Sequence, residues 1–562
     1  MTHRLSEKQG RRFLAPIPSR KLASCNRGKP GSEMGASQIH PLLRDRAAGL
    51  SPEAVRLLDE ASGAMADGEL VRAEAALAAV LALAPDAVEA LRLSGQLQQL
   101  RGNYAQAVAI LRRALAKDPR DALAHISLGV ALQSQGENEA ALSALQRACE
   151  LAPDFAPAWF NLGRMFQLQG RPAGAITALH RALDIDPDHL AARLVLASAQ
   201  TGLGAEAPAA ANYREVLRRQ SGHPEAWSGL AGLDTERFGK DDVAQLQRAL
   251  QMPQPAPLAR IRLGFALARA LEDQADYHAA FRALRKANAW RRRQLNWNAA
   301  GMRARADAML AAFAEPLAGA ADAALGEQVI FLMALPHAGV GLTRQILAAH
   351  PYVGGVDESP DLQRVIGDES ARRGQPLLQW VGSATPADWA RLGQDYLART
   401  GHWRRGLPRF IDANRLNWRV VGVALAMLPG ARVVHCRRDA LETCFACYRQ
   451  LFASGHDFSY DLDDIASYWR DHERLGRHWQ RLFPQRFLEH DYEALLADPE
   501  TQVRRLLAFC GLEVDPACLG FQHEPTQART ALRTRQPWLR EPALAARYGA
   551  ELDRLRLLLG VR

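Results

Sequence analysis

This sequence lacks long apolar runs and paired cysteine motifs, and most of the chain has little net charge. No stretch approaches the roughly 18 consecutive apolar residues of a membrane-spanning helix, and the first residues lack the apolar core of a secretory signal. The 7 cysteines are an odd set without a regular framework, which is typical of reduced thiols. We therefore expect a cytoplasmic protein with no transmembrane segment.

The cysteines do not predict a metal site either. Cys444 and Cys447 form a CxxC pair, but no second pair accompanies them as a four-ligand zinc site requires. We therefore expect no metal.

Most of the net charge of +9 lies in the first 48 residues, which contain ten Lys or Arg and three Asp or Glu, or +7. The rest of the chain is nearly neutral, so the high pI does not indicate specific nucleic-acid binding. Residues 1–48 are predicted to be a disordered basic tail. It remains open whether residues 1–33 are translated, because synthesis starting at Met34 fits the sequence equally well.

The N-terminal half repeats with a period of 34 residues. Three registers follow this period: Pro85, Pro119, Pro153 and Pro187; Gly68, Gly102, Gly136, Gly170 and Gly204; and Gly95, Gly129 and Gly163. Each unit has the pattern helix, turn, helix, turn, with a first helix predicted at 122–135 that ends at Gly136 and a second at 140–151. Five units are predicted over residues 51–223.

This region resembles the tetratricopeptide repeat. The resemblance implies an α-solenoid in which stacked units form a concave surface that binds a protein or peptide. A scaffold or a dimerisation arm remains an alternative, and the sequence does not indicate an oligomeric state. Residues 224–325 are predicted to be irregular helical repeats, with helices at 258–271 and 279–288, followed by a linker at 313–325.

From residue 326 to 562 the pattern changes to alternating strands and helices, which predicts an α/β domain with a parallel sheet. Strands are predicted at 329–333, 431–436 and 487–490, and a short one begins at 410–411. A Pro/Gly turn at 336–339 joins the first strand to a helix. This layout directs backbone N–H groups and a helix N-terminus at a phosphate.

The domain resembles the tetratricopeptide-repeat sulfotransferases. The segments that carry this resemblance are VIFLMALPHAGVGLTRQILAAHP, VDESPDL, FIDANRLNW, ARVVHCRRDALETCFACYRQLF, LEHDYEALLADPE and RTALRTRQPW. It implies a P-loop-like fold and transfer of a sulfuryl group from 3′-phosphoadenosine 5′-phosphosulfate (PAPS) to a hydroxyl acceptor.

The resemblance also assigns residues to roles. Glu358 matches the general base, and His337 stands at the loop position of an arginine as a replacement donor. The residues implied in cofactor binding are Pro336, His337, Ala338, Gly339, Val340, Gly341, Leu342, Arg438, Ala446 and Arg535.

Several of these positions lack the side chain that the family has there. His337 replaces Arg, Ala338 replaces Ser, Val340 and Gly341 replace Thr, Ala413 replaces Lys, and Ala446 replaces Ser. At about 1.5–3 kcal/mol for each charge-assisted hydrogen bond, the combined loss is on the order of 5–10 kcal/mol. Three interpretations stay open: an active PAPS-dependent sulfotransferase, a catalytically degenerate domain in a repeat scaffold, and a different nucleotide or acceptor chemistry.

Overall fold

The computed structural model describes His40, Leu42 and residues 46–252, 256–356, 359–404, 406–520 and 543–561. The predicted site residues Glu358 and Arg535 lie outside the described residues, and so does the predicted disordered tail as far as residue 39. The chain divides into two compact units, Met1–Arg219 and Gln220–Arg562.

The unit Met1–Arg219 consists of five successive helix pairs within its described residues. The pairs are α1 (Pro52–Asp67) with α2 (Leu70–Leu83), α3 (Val88–Arg101) with α4 (Tyr104–Lys117), α5 (Ala122–Gln135) with α6 (Asn138–Leu151), α7 (Ala156–Leu168) with α8 (Pro172–Ile185), and α9 (Leu190–Gly202) with α10 (Glu206–Arg219). The predicted solenoid is confirmed. The first helix of the third unit has the predicted bounds, whereas the second begins two residues earlier than predicted.

Glycine has two separate functions within one repeat. Gly136 follows α5 with a φ of 85°, a backbone conformation that other residues adopt at a cost. Gly129 lies inside α5, where a Cβ atom would stand 2.6 Å from Cγ of Leu145 on α6. The 34-residue glycine register at Gly129 therefore reflects close helix approach.

The second unit begins with five helices, of which the last three share an apolar cluster with its sheet domain. They are α11 (Pro224–Ala231), α12 (Lys240–Gln251), α13 (Pro257–Asp273), α14 (Tyr277–Arg292) and α15 (Ala299–Ala312). Asn288 donates a hydrogen bond to the Tyr448 carbonyl at 3.0 Å, and Nε of Arg449 donates to Glu272 at 2.6 Å. The predicted linker at 313–325 has no helix or strand, and its Phe313 is completely buried.

A five-stranded parallel sheet is the centre of this unit. The strands are β1 (Val329–Met333), β2 (Val353–Val356), β3 (Arg409–Asp412), β4 (Arg432–Arg437) and β5 (Phe487–Asp491), in the order β2-β3-β1-β4-β5. The predicted parallel sheet is confirmed: β1 has the predicted bounds, and the ends of the other predicted strands shift by at most one residue. The sequence analysis missed β2, because its two central glycines have a low strand propensity.

Helices cover both faces of the sheet, so side chains of one strand enter two different apolar clusters. Ile330 and Leu332 pack with one cluster, and Phe331 packs with the other. The helices are α16 (Val340–Ala348), α17 (Asp361–Arg373), α18 (Leu377–Trp380), α19 (Pro386–Arg404), α20 (Val421–Met427), α21 (Ala440–Arg449), α22 (Leu462–Leu482), α23 (Tyr492–Ala497), α24 (Pro499–Phe509), α25 (Pro516–Gly520), α26 (Leu544–Arg547) and α27 (Asp553–Leu559).

None of the helices in the described part of the chain combines the length and the apolar character that a bilayer-spanning helix needs.

Candidate active site

The turn between β1 and α16 has an unusual backbone. Gly339 precedes α16 with a φ of 86°, and His337 has a φ of 66° although it is not glycine. A Cβ atom on residue 339 would stand 2.7 Å from Cδ2 of Tyr492. Glycine is therefore required at 339 both for the backbone conformation and for the contact with Tyr492. Because the first N–H groups of a helix have no acceptor within that helix, the start of α16 presents donors at this turn.

The side chains of the turn mostly face the protein interior. Ala338 and Leu342 belong to the apolar cluster beneath α16, and the Pro336 carbonyl accepts a hydrogen bond from the Cys447 thiol, with Sγ and O 3.6 Å apart. Only His337 is exposed among residues 336–342. The turn can therefore offer an anion its backbone N–H groups and one imidazole, and no other polar side chain.

Arg438, directly after β4, contacts this turn. Its Nη1 donates to the His337 carbonyl oxygen at 3.3 Å, and its guanidinium lies 5.0 Å from the ring centroid of Tyr492. The nearest carboxylate oxygen of Glu442 is 4.0 Å from Nη2. The structure thus brings together the β1 turn and Arg438, two elements that the resemblance implied in cofactor binding.

The preceding arginine, Arg437, has a different environment. It pairs with Glu473 at 2.6 Å and with Glu489 at 3.2 Å. Two carboxylates neutralise this guanidinium, so the structure separates a structural arginine from one at the candidate site. Ala446, eight residues after Arg438, lies half-buried on α21 and brings no polar group.

The end of β3 is fixed by a buried carboxyl group. Asp412 is inaccessible to solvent and accepts hydrogen bonds from the Tyr396 hydroxyl at 2.8 Å, the Asn414 N–H at 3.0 Å and the Asn417 amide at 3.0 Å. Burial raises the pKa of Asp412 to about 6, although these donors oppose the rise. The network holds the turn 413–417 in place, and Ala413 is buried in it.

This turn carries Arg415, a residue that the sequence analysis missed. Burial raises the pKa of the Cys447 thiol to about 12, and the nearby positive charge of Arg415 opposes that rise. Burial together with the charges of Arg415, His337 and Arg419 lowers the pKa of His456 to about 4. The Phe452 ring lies 6.1 Å from His337 and 4.4 Å from His456, measured between centroids.

Four neighbouring side chains are here called the basic group: His337, Arg415, Arg419 and His456. The lowered pKa leaves His456 neutral near pH 7, so His456 adds no positive charge to the group there. The signal in the sequence was available, since Arg415 follows the missing lysine position, Ala413, by two residues. What the sequence did not contain was the strand order, which sets β3 directly beside β1.

Two further clusters concern the predicted absence of a metal. Cys444 and Cys447 are buried free thiols. The imidazoles of His435 and His472 and the carboxylate of Glu473 have ligand atoms within 4.8 Å of one another. Glu473, however, already binds Arg437, and burial lowers the pKa of His472 to about 3.

Comparisons with known proteins agree with this architecture. The model of the sulfotransferase family matches residues 329–516, and tetratricopeptide-repeat models match 58–122, 95–155, 126–189 and 166–233. The chain therefore contains tetratricopeptide repeats and a sulfotransferase-family domain, as predicted.

Individual proteins are similar to parts of this chain. An uncharacterized protein of Aquifex aeolicus (strain VF5) is 28% identical over 328 residues, which are 55% of this chain and 42% of that protein. The chain thus spans about two fifths of the length of this relative. Among solved structures, MamA is 27% identical over 30% of this chain and 92% of its own, with a TM-score of 0.26. The pilF protein of Pseudomonas aeruginosa is 20% identical over 40% and 97%, with a TM-score of 0.33.

Proposed function

We propose that the second unit transfers a sulfuryl group from PAPS to a hydroxyl acceptor. The observation that carries this proposal is the contact between Arg438 and the His337 carbonyl, because it joins an arginine to a turn rich in N–H donors at the carboxyl edge of a parallel sheet. Ligands of open parallel sheets bind at this edge. An anionic nucleotide needs donors and cations from several elements, and this edge provides both.

In this proposal the residues present bind such a nucleotide with other side chains than the family has at these positions. The backbone at 339–342 and the start of α16 would bind the 5′-phosphate. Arg415 and His337 would provide the positive charge that Ala413 and the altered turn no longer provide. Arg438 would bind the 3′-phosphate without help from Ala446.

PAPS supplies an activated sulfuryl group on a phosphate leaving group. The chain's own residues must bind that phosphate and stabilise the negative charge that develops on it. Preorganised hydrogen-bond donors and cations do this. Glu358 is proposed as the general base that takes the acceptor proton, because it matches the family position two residues after β2. We further propose that the repeat array recruits a protein or peptide that carries the acceptor hydroxyl.

A titration with 3′-phosphoadenosine 5′-phosphate (PAP) tests the site in the full chain. We expect micromolar binding by calorimetry, weakened at least tenfold by Arg438→Ala. Arg504→Ala is the matched control, because Arg504 is an arginine of the same unit whose side chain is 50% exposed and pairs with Glu500. Absence of heat at millimolar PAP with wild-type protein would overturn the proposal.

A second candidate function is an interaction protein whose sulfotransferase fold no longer reacts. It is favoured by Ala338 and Ala413, which are 3% and 5% exposed and fill apolar positions where the family has polar side chains. This candidate predicts that PAP does not bind and that Arg438→Ala has no effect on any ligand.

A further inference from the structure

The first described residues of the chain lie along the repeat array. We call His40, Leu42 and residues 46–50 the strap. The His40 ring packs against Phe155 with centroids 4.9 Å apart, Leu42 packs against the apolar cluster of the repeats, and Arg46 reaches α3 and the start of α5. The strap therefore contacts three successive repeats of its own unit.

Arg46 is bound by two carboxylates. Its Nη1 and Nη2 donate to the two oxygens of Asp121 at 3.2 and 2.6 Å, and its Nε donates to Glu89 at 2.9 Å. The side chains of Asp121 and Glu89 are 0% and 4% exposed, and that of Arg46 is 17% exposed. Paired, parallel donation to one carboxylate is a geometry that arginine achieves and lysine does not.

The two acids are not part of the repeat pattern. The residues 34 positions after Glu89 and Asp121 are Leu123 and Phe155, and the residue 34 positions before Asp121 is Ala87. Packing of the repeats therefore does not demand a carboxylate at either place. Glu89 also pairs with Arg92 of its own helix, which leaves Asp121 with Arg46 as its cation among the ion pairs of the described residues. Without Arg46 the pocket carries one uncompensated negative charge.

The strap covers the array incompletely. A cavity of about 650 Å³ lies beside Arg46, with a lining that includes Leu42, Leu50, Pro85 and Asp118. A segment that crosses a cavity has fewer packing contacts than one that fills it, so less apolar contact opposes its release. The strap is attached by the ion pairs of Arg46, by the packing of Leu42, and by His40, whose Nε2 lies 3.4 Å from Asp154. Salt weakens the ion pairs as far as solvent reaches them.

We propose that Glu89 and Asp121 form an arginine-binding site of the repeat array, which the strap occupies and which binds an arginine of a partner peptide or protein once the strap is displaced. The strap then limits access to the array from within the same chain. The partner is a segment with an arginine and an apolar residue four positions before it, as Leu42 and Arg46 are spaced. This proposal is independent of the proposed function of the second unit.

The test uses the full chain and a fluorescein-labelled peptide of residues 38–48. Fluorescence anisotropy should show binding to the Arg46→Ala chain at least ten times tighter than to wild type, because the wild-type site is occupied. Adding Asp121→Asn to Arg46→Ala should weaken binding at least tenfold. Asparagine caps a helix as well as aspartate does, so this change removes charge while retaining the start of α5. Glu89→Gln is the second variant if Asp121→Asn fails to fold.

Two controls separate the site from general charge effects. Arg72→Ala removes an arginine whose side chain is 60% exposed and pairs with acids on the same array, and it should not open the site to the peptide. A peptide with Arg46→Lys should bind more weakly than the native peptide. Equal binding to wild type and Arg46→Ala, no binding to a folded Arg46→Ala chain, or equal binding after Asp121→Asn would each overturn the proposal.

Discussion

Two buried carboxyl groups, one in each unit, have opposite pKa shifts. Burial alone would raise the pKa of Glu89, but Arg92 and Arg46 outweigh burial and lower it to about 2. Burial raises the pKa of Asp412 to about 6, because its partners are an N–H, an amide and a hydroxyl. Glu89 is thus neutralised by arginines, whereas the hydrogen-bond donors to Asp412 are neutral.

The arginines near these two acids also differ in their surroundings. In the array, Arg92 and Arg46 are held by carboxylates within their own unit. At the end of β3, the hydrogen-bond donors to Asp412 are neutral, and Arg415 on the same turn belongs to the basic group. Like charges placed together repel, and an anion relieves that repulsion. The predictions below change one side of this comparison at a time.

The largest effect is expected from Arg92→Met. Arg92 and Glu89 are both buried, and removal of one partner of a buried pair leaves a charge without its main compensation. We expect the array to lose about 3 kcal/mol of unfolding free energy in urea, with faster hydrogen exchange over residues 88–135. The double variant Glu89→Gln/Arg92→Met should recover part of this loss; an unchanged array would mean that the pair does not stabilise it.

The next effect is a pH dependence removed by Asp412→Asn. Because the folded-state pKa exceeds the unfolded value, the folded chain holds a proton between about pH 4 and 6 that the unfolded chain has released. The stability from this group is therefore present at low pH and is lost as pH rises through 6. Relative to the variant, wild type should gain about 2 kcal/mol in urea unfolding from pH 7 to pH 4.5. Parallel pH curves would contradict a raised pKa.

Arg415→Ala should separate ligand binding from stability. If Arg415 binds the 5′ side of the nucleotide, its loss removes a charge-assisted bond of about 1.5–3 kcal/mol and weakens PAP binding roughly tenfold to a hundredfold. The unfolding free energy should stay within about 0.5 kcal/mol of wild type, because surface substitutions of this kind have small effects. Unchanged PAP affinity with tight wild-type binding would remove Arg415 from the site.

The smallest effect is expected from Arg504→Ala. Its ion pair with Glu500 is largely exposed, so solvent already screens both charges. Urea unfolding should change by less than about 1 kcal/mol, which is the usual range for exposed pairs. A larger loss would mean that exposure is a poor guide to the value of ion pairs in this chain, and the contrast between Glu89 and Asp412 would need another cause.

Sequence periodicity predicted the array more completely than the domain. A 34-residue period fixes helix ends through residues such as Gly136, because each repeat solves the same local packing problem. The strands of the domain were predicted from apolar runs. The prediction missed β2 because Gly354 and Gly355 interrupt its apolar run. The meeting of Arg438 with the β1 turn was implied by the family, whereas Arg415 was missed because its position depends on β3 lying beside β1. The strap was missed because its contact between Arg46 and Asp121 joins distant parts of the chain, and no local pattern in the sequence predicts it.

Tyr492 gives the site a further property. The same ring contacts Gly339 of the turn and the guanidinium of Arg438, so a movement of either one displaces a surface that supports the other. The two proposed anion sites share this support, so a ligand at one end would prepare the other end. Binding of a nucleotide with phosphates at both ends would then be cooperative within a single molecule. A fragment that carries only one phosphate would have much less than half of the binding free energy of the whole nucleotide.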